Sequence, residues 1–194
     1  MQSHSKLSKY FTLEDLLYCS QTYATQTYAT QKLANIPRQR SSIEALKRLS
    51  VNLLDPIVEQ FGPITLTYGF CSPELARAIK KNDNPHIAPN LDQHASHELN
   101  RKGKLICPRL GAAVDFFVDA MPNQMDEVAL WIAENLKFDR IYYYGKSRPL
   151  HISYGPEMNQ FVQLMNTNEI TGRRTPGKRA NGKQACDLFK QIIF

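Results

Sequence analysis

The segment Ala112-Ala-Val-Asp-Phe-Phe-Val118 constrains the fold more than any other. Its apolar residues read as a strand buried within a sheet, yet a single carboxylate interrupts them. Side chains alternate across a strand, so Ala113, Asp115 and Phe117 share one face while Val114 and Phe116 share the other. A carboxylate in such company is costly unless it is paired, hydrogen-bonded or bound to a metal. Leu150-His-Ile-Ser-Tyr154 poses the same problem, with His151 and Ser153 opposite Leu150, Ile152 and Tyr154. If the two strands are neighbours, Asp115 and His151 face one another. A loop histidine would then complete a three-ligand tetrahedral site with a fourth position open to water.

The rest of the chain supplies the frame. Thr12-Leu-Glu-Asp15 and Ser41-Ser-Ile-Glu44 read as capping boxes. After the second, Ile43, Leu46, Leu49, Leu53, Leu54, Ile57, Val58 and Phe61 recur at helical spacing, which predicts an amphipathic helix that Pro56 bends or breaks. Ile64 to Tyr68 alternates as a half-buried strand, and Ser72-Pro73 starts a short helix. Asn123-Gln-Met-Asp126 is expected to cap a helix running to Leu136, and Arg140 to Tyr144 is expected to form a further strand. Helices flanking a mainly antiparallel sheet make an α+β class. Between Lys80 and Arg109 the sequence is polar and irregular and holds His86, His94 and His97. A loop that long inside a compact domain carries function or is disordered. The duplication Gln21-Thr-Tyr-Ala-Thr25, Gln26-Thr-Tyr-Ala-Thr30 is too short for a repeat fold and reads as a local expansion.

Length and charge set the organisation. A chain of 194 residues suits one domain with a real core. The expected division is an N-terminal arm with a short helix over 1–35, a metal-binding domain over 36–165 and a basic tail over 166–194. From Thr171 to Phe194 the chain carries six basic residues against one acid, whereas the preceding residues hold 18 basic and 17 acidic side chains. The tail is therefore expected to be dispensable for folding, so that a chain ending at Ile170 stays folded. Arg173, Arg174, Lys178 and Arg179 would be its contacts to nucleic acid or another polyanion. No apolar run approaches a membrane span, and the start lacks the apolar stretch of a secretory signal, which points to the cytoplasm. The four cysteines lack C-x-x-C spacing and read as free thiols.

Several segments, in order, resemble the signatures of the M15 family of zinc D-alanyl-D-alanine peptidases and the hedgehog/DD-peptidase fold. They are Phe61-Gly-Pro-Ile-Thr-Leu-Thr-Tyr-Gly-Phe-Cys-Ser-Pro-Glu-Leu75, Gln93-His94, Gly111-Ala-Ala-Val-Asp-Phe116 and His151-Ile-Ser153, and the likeness extends roughly from Tyr10 to Tyr154. It implies a zinc ion held by His94, Asp115 and His151, with residues 95–110 an insertion. His97, then His86, are the alternatives for the first ligand. It also implies an amide hydrolase of phage or bacterial type acting on a peptide or cell-wall-like substrate. Two departures stand out. Cys71 replaces the family's substrate-binding arginine, and Tyr144-Gly-Lys-Ser-Arg-Pro-Leu150 lacks the catalytic acid. Glu98 and Glu157 are the candidates to supply that acid, and Arg148, Tyr144 and Ser153 are the candidates to contact substrate. The other reading is a non-peptidase zinc domain that binds or modifies nucleic acid or another polyanion through its basic tail.

Overall fold

The computed structural model describes residues 5–20, 35–81, 92–168, 170, 172 and 174–193. The protein is α+β, with a six-stranded mixed sheet in the order β1-β2-β4-β3-β5-β6. The strands are β1 (Ile64–Tyr68), β2 (Ala112–Val118), β3 (Arg140–Tyr143), β4 (Leu150–Tyr154), β5 (Phe161–Thr167) and β6 (Arg174–Asn181). Neighbours run antiparallel except β3 and β5, which are parallel. The helices are α1 (Leu13–Leu16), α2 (Arg40–Leu49), α3 (Asp55–Phe61), α4 (Pro73–Ile79), α5 (Met125–Asn135) and α6 (Lys183–Ile193).

One face of the sheet is dry. Val114, Phe116, Ile141, Leu150, Ile152 and Val162 project from it into a core shared with Leu46, Leu49, Leu53 and Ile57 and with Val128, Ile132, Leu188 and Phe189. The alternation read from the sequence is thus realised, and the opposite face receives the polar members of the strands. In register across that face lie Tyr68, Asp115, His151, Tyr142 and Gln163, one from each of five adjacent strands.

Pro56 does not break its helix. A π turn over Ser50–Leu54 joins α2 to α3, with the Asp55 amide donating to the Ser50 carbonyl. The widened turn sets Pro56 in the first turn of α3, where its missing N–H costs least. The capping box expected at Ser41 is not formed, because Ser41 lies inside α2 and Gln39 is the cap residue, without a side-chain cap. Glu98, distant in sequence, takes that role through Oε1, which accepts from the Arg38 amide (3.0 Å), the Gln39 amide (3.1 Å) and Ser42 Oγ (2.9 Å). A carboxylate there also favours the positive end of the helix dipole. The cap expected at Asn123 is likewise absent, since α5 starts after Gln124 with no side-chain cap. Thr12 does form its capping box with Asp15.

Both ends of the chain depart from the expected division. Leu7, Phe11, Leu13 and Leu16 are buried in the main core, and the Asp55 carboxylate accepts from Ser8 Oγ at 2.8 Å and the Lys9 amide at 2.9 Å. The first residues are therefore part of the domain. The basic stretch is not a tail either. Residues 174–181 form β6 against β5, and α6 inserts Ala185, Leu188 and Phe189 into the core. The charge bias misled because β6 is an edge strand, where exposed cations and Pro176 blunt pairing with other chains. The aliphatic and aromatic spacing of α6 marks its buried side. The duplication at Gln21 to Thr30 lies outside the described residues.

These contacts reverse the expectation for a chain ending at Ile170. It leaves the outer edge of β5 unpaired and the core open, and should fail to give a cooperative unfolding transition. Phe189→Ala in the full chain should cost roughly 3–5 kcal/mol in urea denaturation, as truncations of buried aromatics do. A truncated chain with the full-length transition midpoint would contradict this assignment of β6 and α6 to the core.

Candidate metal centre

Three side chains from three parts of the sequence converge on the polar face of the sheet. Asp115 on β2 faces His151 on β4 in register, and His151 Nδ1 lies 2.8 Å from Asp115 Oδ1. His94, in the short turn Gln93–Ala95, places Nε2 3.2 Å from His151 Nδ1 and 3.3 Å from Asp115 Oδ1. A metal 2.0–2.2 Å from each of three tetrahedral ligands sets them about 3.3–3.6 Å apart. Two edges of the observed triangle, 3.2 and 3.3 Å, come near that length, and the third is the 2.8 Å hydrogen bond between His151 and Asp115.

The orientation of His94 is fixed from behind. Its Nδ1 lies 2.8 Å from the Gly69 carbonyl, which only accepts, so Nδ1 carries the proton and Nε2 of the neutral ring presents its lone pair to the triangle. Gly69 is required here because a Cβ would collide with the Leu16 carbonyl. Buried Asn35 braces the same strand end, donating to the Leu17 and Phe70 carbonyls and accepting from the Ser72 amide. Tyr142 stacks on the His151 ring with centroids 4.7 Å apart, and Tyr68 meets His94 edge-on at 4.4 Å. Nε2 of His151 is buried without a hydrogen-bond partner among the described residues.

A second carboxylate stands beside the pair. Asp92 caps the His94 turn by accepting the His94 amide at 3.0 Å, and its oxygen lies within 4.8 Å of ring nitrogens of both histidines. Asp92, His94 and His151 could hold a metal ion as a group. Asp115 is nearer to both rings, so we take it as the closer oxygen donor and Asp92 as the outer one. Burial opposes charge on His94, but the carboxylates of Asp92 and Asp115 overcome it and push the imidazole up to about 9. Burial also opposes ionisation of Asp115, and the two histidines outweigh it and hold the carboxyl far below the usual range. The carboxylates thus favour a proton on His94, and a cation bound there would take that proton's place.

The segment after His94 is anchored residue by residue. Gln93 Nε2 donates to Asp139 Oδ2 and the Leu110 carbonyl, and Ser96 Oγ donates to the Gly111 carbonyl. His97 Nε2 accepts the Gly111 amide at 3.0 Å. That nitrogen is spent on the backbone and burial holds its ring below the ordinary histidine value, so His97 serves to fix the start of β2. His86 lies outside the described residues.

The other candidates sit differently. Glu98 is buried and committed to the start of α2. Glu157 is exposed, hydrogen-bonded to Asn159, and lines a separate small cavity with Arg109 and Asp139. Ser153 is fully buried, and its Oγ accepts the Arg140 amide at 3.1 Å, so it braces the sheet. Arg148 is exposed in the turn before β4, with its amide donating to Gly145. Tyr144 is half-buried under the Arg174 guanidinium, and burial together with the charge of Asp115 pushes its phenol up, which places it on the metal-centre side. Cys71 is buried, and burial raises its thiol to about 12, which leaves it protonated. Sequence reasoning did not single out Gly69 or Asp92 as site residues. The Asp92-Gln93-His94 order was the available signal, since an aspartate two residues before a histidine suits an Asx cap.

No protein-family profile, curated protein or solved structure matches the chain.

The carboxylates of Asp92 and Asp115 raise the His94 imidazole to about 9, so a metal ion bound there would displace its proton. Apparent zinc affinity should rise about tenfold per pH unit between roughly pH 6 and 8 and flatten above the His94 value. Competition with a chelator of known affinity measures this, and an affinity independent of pH in that range would contradict it.

Proposed function

We propose that this protein is a mononuclear zinc protein with His94, Asp115 and His151 as ligands, and that it is a zinc-dependent hydrolase of the M15 type. The observation that carries the metal reading is the triangle of Nε2, Oδ1 and Nδ1 with edges of 2.8, 3.2 and 3.3 Å. Two imidazoles and one carboxylate are the donor set of many hydrolytic zinc sites. Bound zinc would polarise a carbonyl and lower the pKa of water. The side chain of Asp115 is about a quarter exposed, whereas His94 and His151 are almost fully covered, so the centre opens to solvent on the Asp115 side.

Hydrolysis of an amide needs a group to take a proton from water and return it to the leaving nitrogen. The sequence offered Glu98 and Glu157, but Glu98 is occupied at a helix start and Glu157 lines another cavity. Asp92 fits the task better, because its carboxylate stands within 4.8 Å of the histidine nitrogens. Tyr144 would add a hydroxyl donor, and Tyr142 would hold the His151 ring in place.

The reading as a polyanion-binding zinc domain keeps some support in the exposed Arg174, Lys178 and Arg179 of β6. Their role in shielding an edge strand accounts for them without a partner, so the hydrolase reading is preferred. Arg173 lies outside the described residues.

Metal analysis should find about one zinc per chain. His94→Ala, Asp115→Ala and His151→Ala should each lose it, while His97→Ala keeps it. Zinc retained in all three ligand variants would refute the site. With a D-alanyl-D-alanine-terminated peptide as substrate, Asp92→Asn should keep the metal and lose activity by about 10²–10⁴-fold, the range for a general base. Loss of metal in Asp92→Asn would instead make Asp92 a fourth ligand.

A further inference from the structure

Away from the metal centre, helix α4 and the hairpin formed by residues 99–105 enclose a cavity of about 570 Å³. The hairpin closes through a bridge between Leu99 and Leu105, and its turn is rigid. The Asn100 amide donates to the Lys104 carbonyl, while Asn100 Oδ1 accepts the Lys102 and Lys104 amides. Arg101 and Lys102 reach the cavity from this tip, Arg77 from α4, and Arg38 from the segment before α2. Leu99 and Ile106 supply an apolar part of the wall.

The charges in this cavity are unbalanced. Glu74 is its one acid and is already shared, at 3.3 Å from Arg38 and 2.9 Å from Arg77. Its carboxyl is held below the ordinary value, with burial opposing and its own amide and the two arginines prevailing. For Arg101 and Lys102, among the described residues, no ion pair is formed. Five basic residues from three separate segments, Lys80 at the end of α4 among them, therefore line one hollow whose single carboxylate is already shared. Mutual repulsion makes that arrangement unfavourable for folding alone, and a bound anion relieves it. Guanidinium groups in particular match the planar, bidentate geometry of phosphate oxygens. The volume is that of a small-molecule site, and the apolar wall suits a ligand with a non-ionic part.

We propose that this cavity is a binding site for a small ligand bearing two or three linked phosphates, with Arg101 and Lys102 as its free anchors and Arg38 and Arg77 as its base. The site is independent of the zinc reading, because none of its lining residues is a proposed metal ligand. The phosphates of a free di- or triphosphate and those of a single-stranded nucleic acid share this chemistry. The closed hairpin wall and the cavity volume favour the free ligand.

Isothermal titration of the full chain with inorganic triphosphate, in parallel with a single-stranded oligonucleotide, tests this. Triphosphate should bind at one site, and the Arg101→Gln/Lys102→Gln double variant should weaken it at least tenfold. Both positions are exposed, so the double variant should fold. Arg174→Gln/Arg179→Gln should bind triphosphate as the wild type does, which separates the cavity from the edge strand. Protein stripped of metal by a chelator and then dialysed should bind triphosphate as the metal-loaded protein does, which separates the cavity from chelation at the metal centre. Absence of triphosphate binding at low salt would overturn the proposal, as would an undiminished affinity in the double variant. An oligonucleotide that binds where triphosphate does not would overturn it in favour of a nucleic-acid surface.

Discussion

The contact between Asp115 and His151 is the constraint on which the rest of the structure depends. Placing a carboxylate in the second strand of a sheet costs several kcal/mol unless its charge is met. His151 meets it from the adjacent strand at 2.8 Å, and His94 meets it from above at 3.3 Å. The sheet register must therefore hold to the residue, because a slip of one position would send Asp115 into the apolar core. The register is protected by what surrounds it. Gly111 has φ 118° and sits so close to the Tyr154 carbonyl that a side chain there would collide, and His97 takes its amide. Val114 and Phe116 lock the other face.

The same requirement explains why a polar, aperiodic stretch is ordered near its centre. Residues 93–98 have no hydrophobic pattern to specify a position, yet each polar side chain among them has a particular partner. Gln93 holds Asp139, His94 holds Gly69, Ser96 holds Gly111, and Glu98 holds the start of α2. Such a network specifies one geometry because every donor left unpaired in a buried site is costly. It ties the end of β1, α2, the start of β2 and the residue before β3 to the turn that carries His94, so the candidate metal centre and the packing of the domain are one structure.

Much of this was legible in the sequence, and the reasons differ by residue. Strand periodicity gave Asp115 and His151 each an interior-type position that brings them together only if their strands are neighbours, as β2 and β4 are, and the likeness of Gln93-His94 to a histidine signature singled out His94. Element edges were legible wherever local chemistry sets them, as at Thr12 and Ser72. The errors arose where a distant partner decides. Ser41 reads as a cap until Glu98 arrives from another segment to take the task. Glu98 and Ser153 read as available polar groups because sequence does not show that backbone amides claim them. The basic stretch reads as a tail because charge hides the apolar spacing of Ala185, Leu188 and Phe189, and because an edge strand needs cations for its own protection. Gly69 and Asp92 matter through one hydrogen bond each, which no periodicity records.

X-ray absorption at the zinc edge of the metal-loaded protein reads most directly which atoms would hold the metal. It should show four light scatterers at about 2.0–2.1 Å, with the multiple-scattering pattern of two imidazoles and no sulfur. A scatterer at about 2.3 Å would mean a cysteine thiolate in the coordination sphere. That result would move the metal away from the triangle of His94, Asp115 and His151 and contradict the central claim.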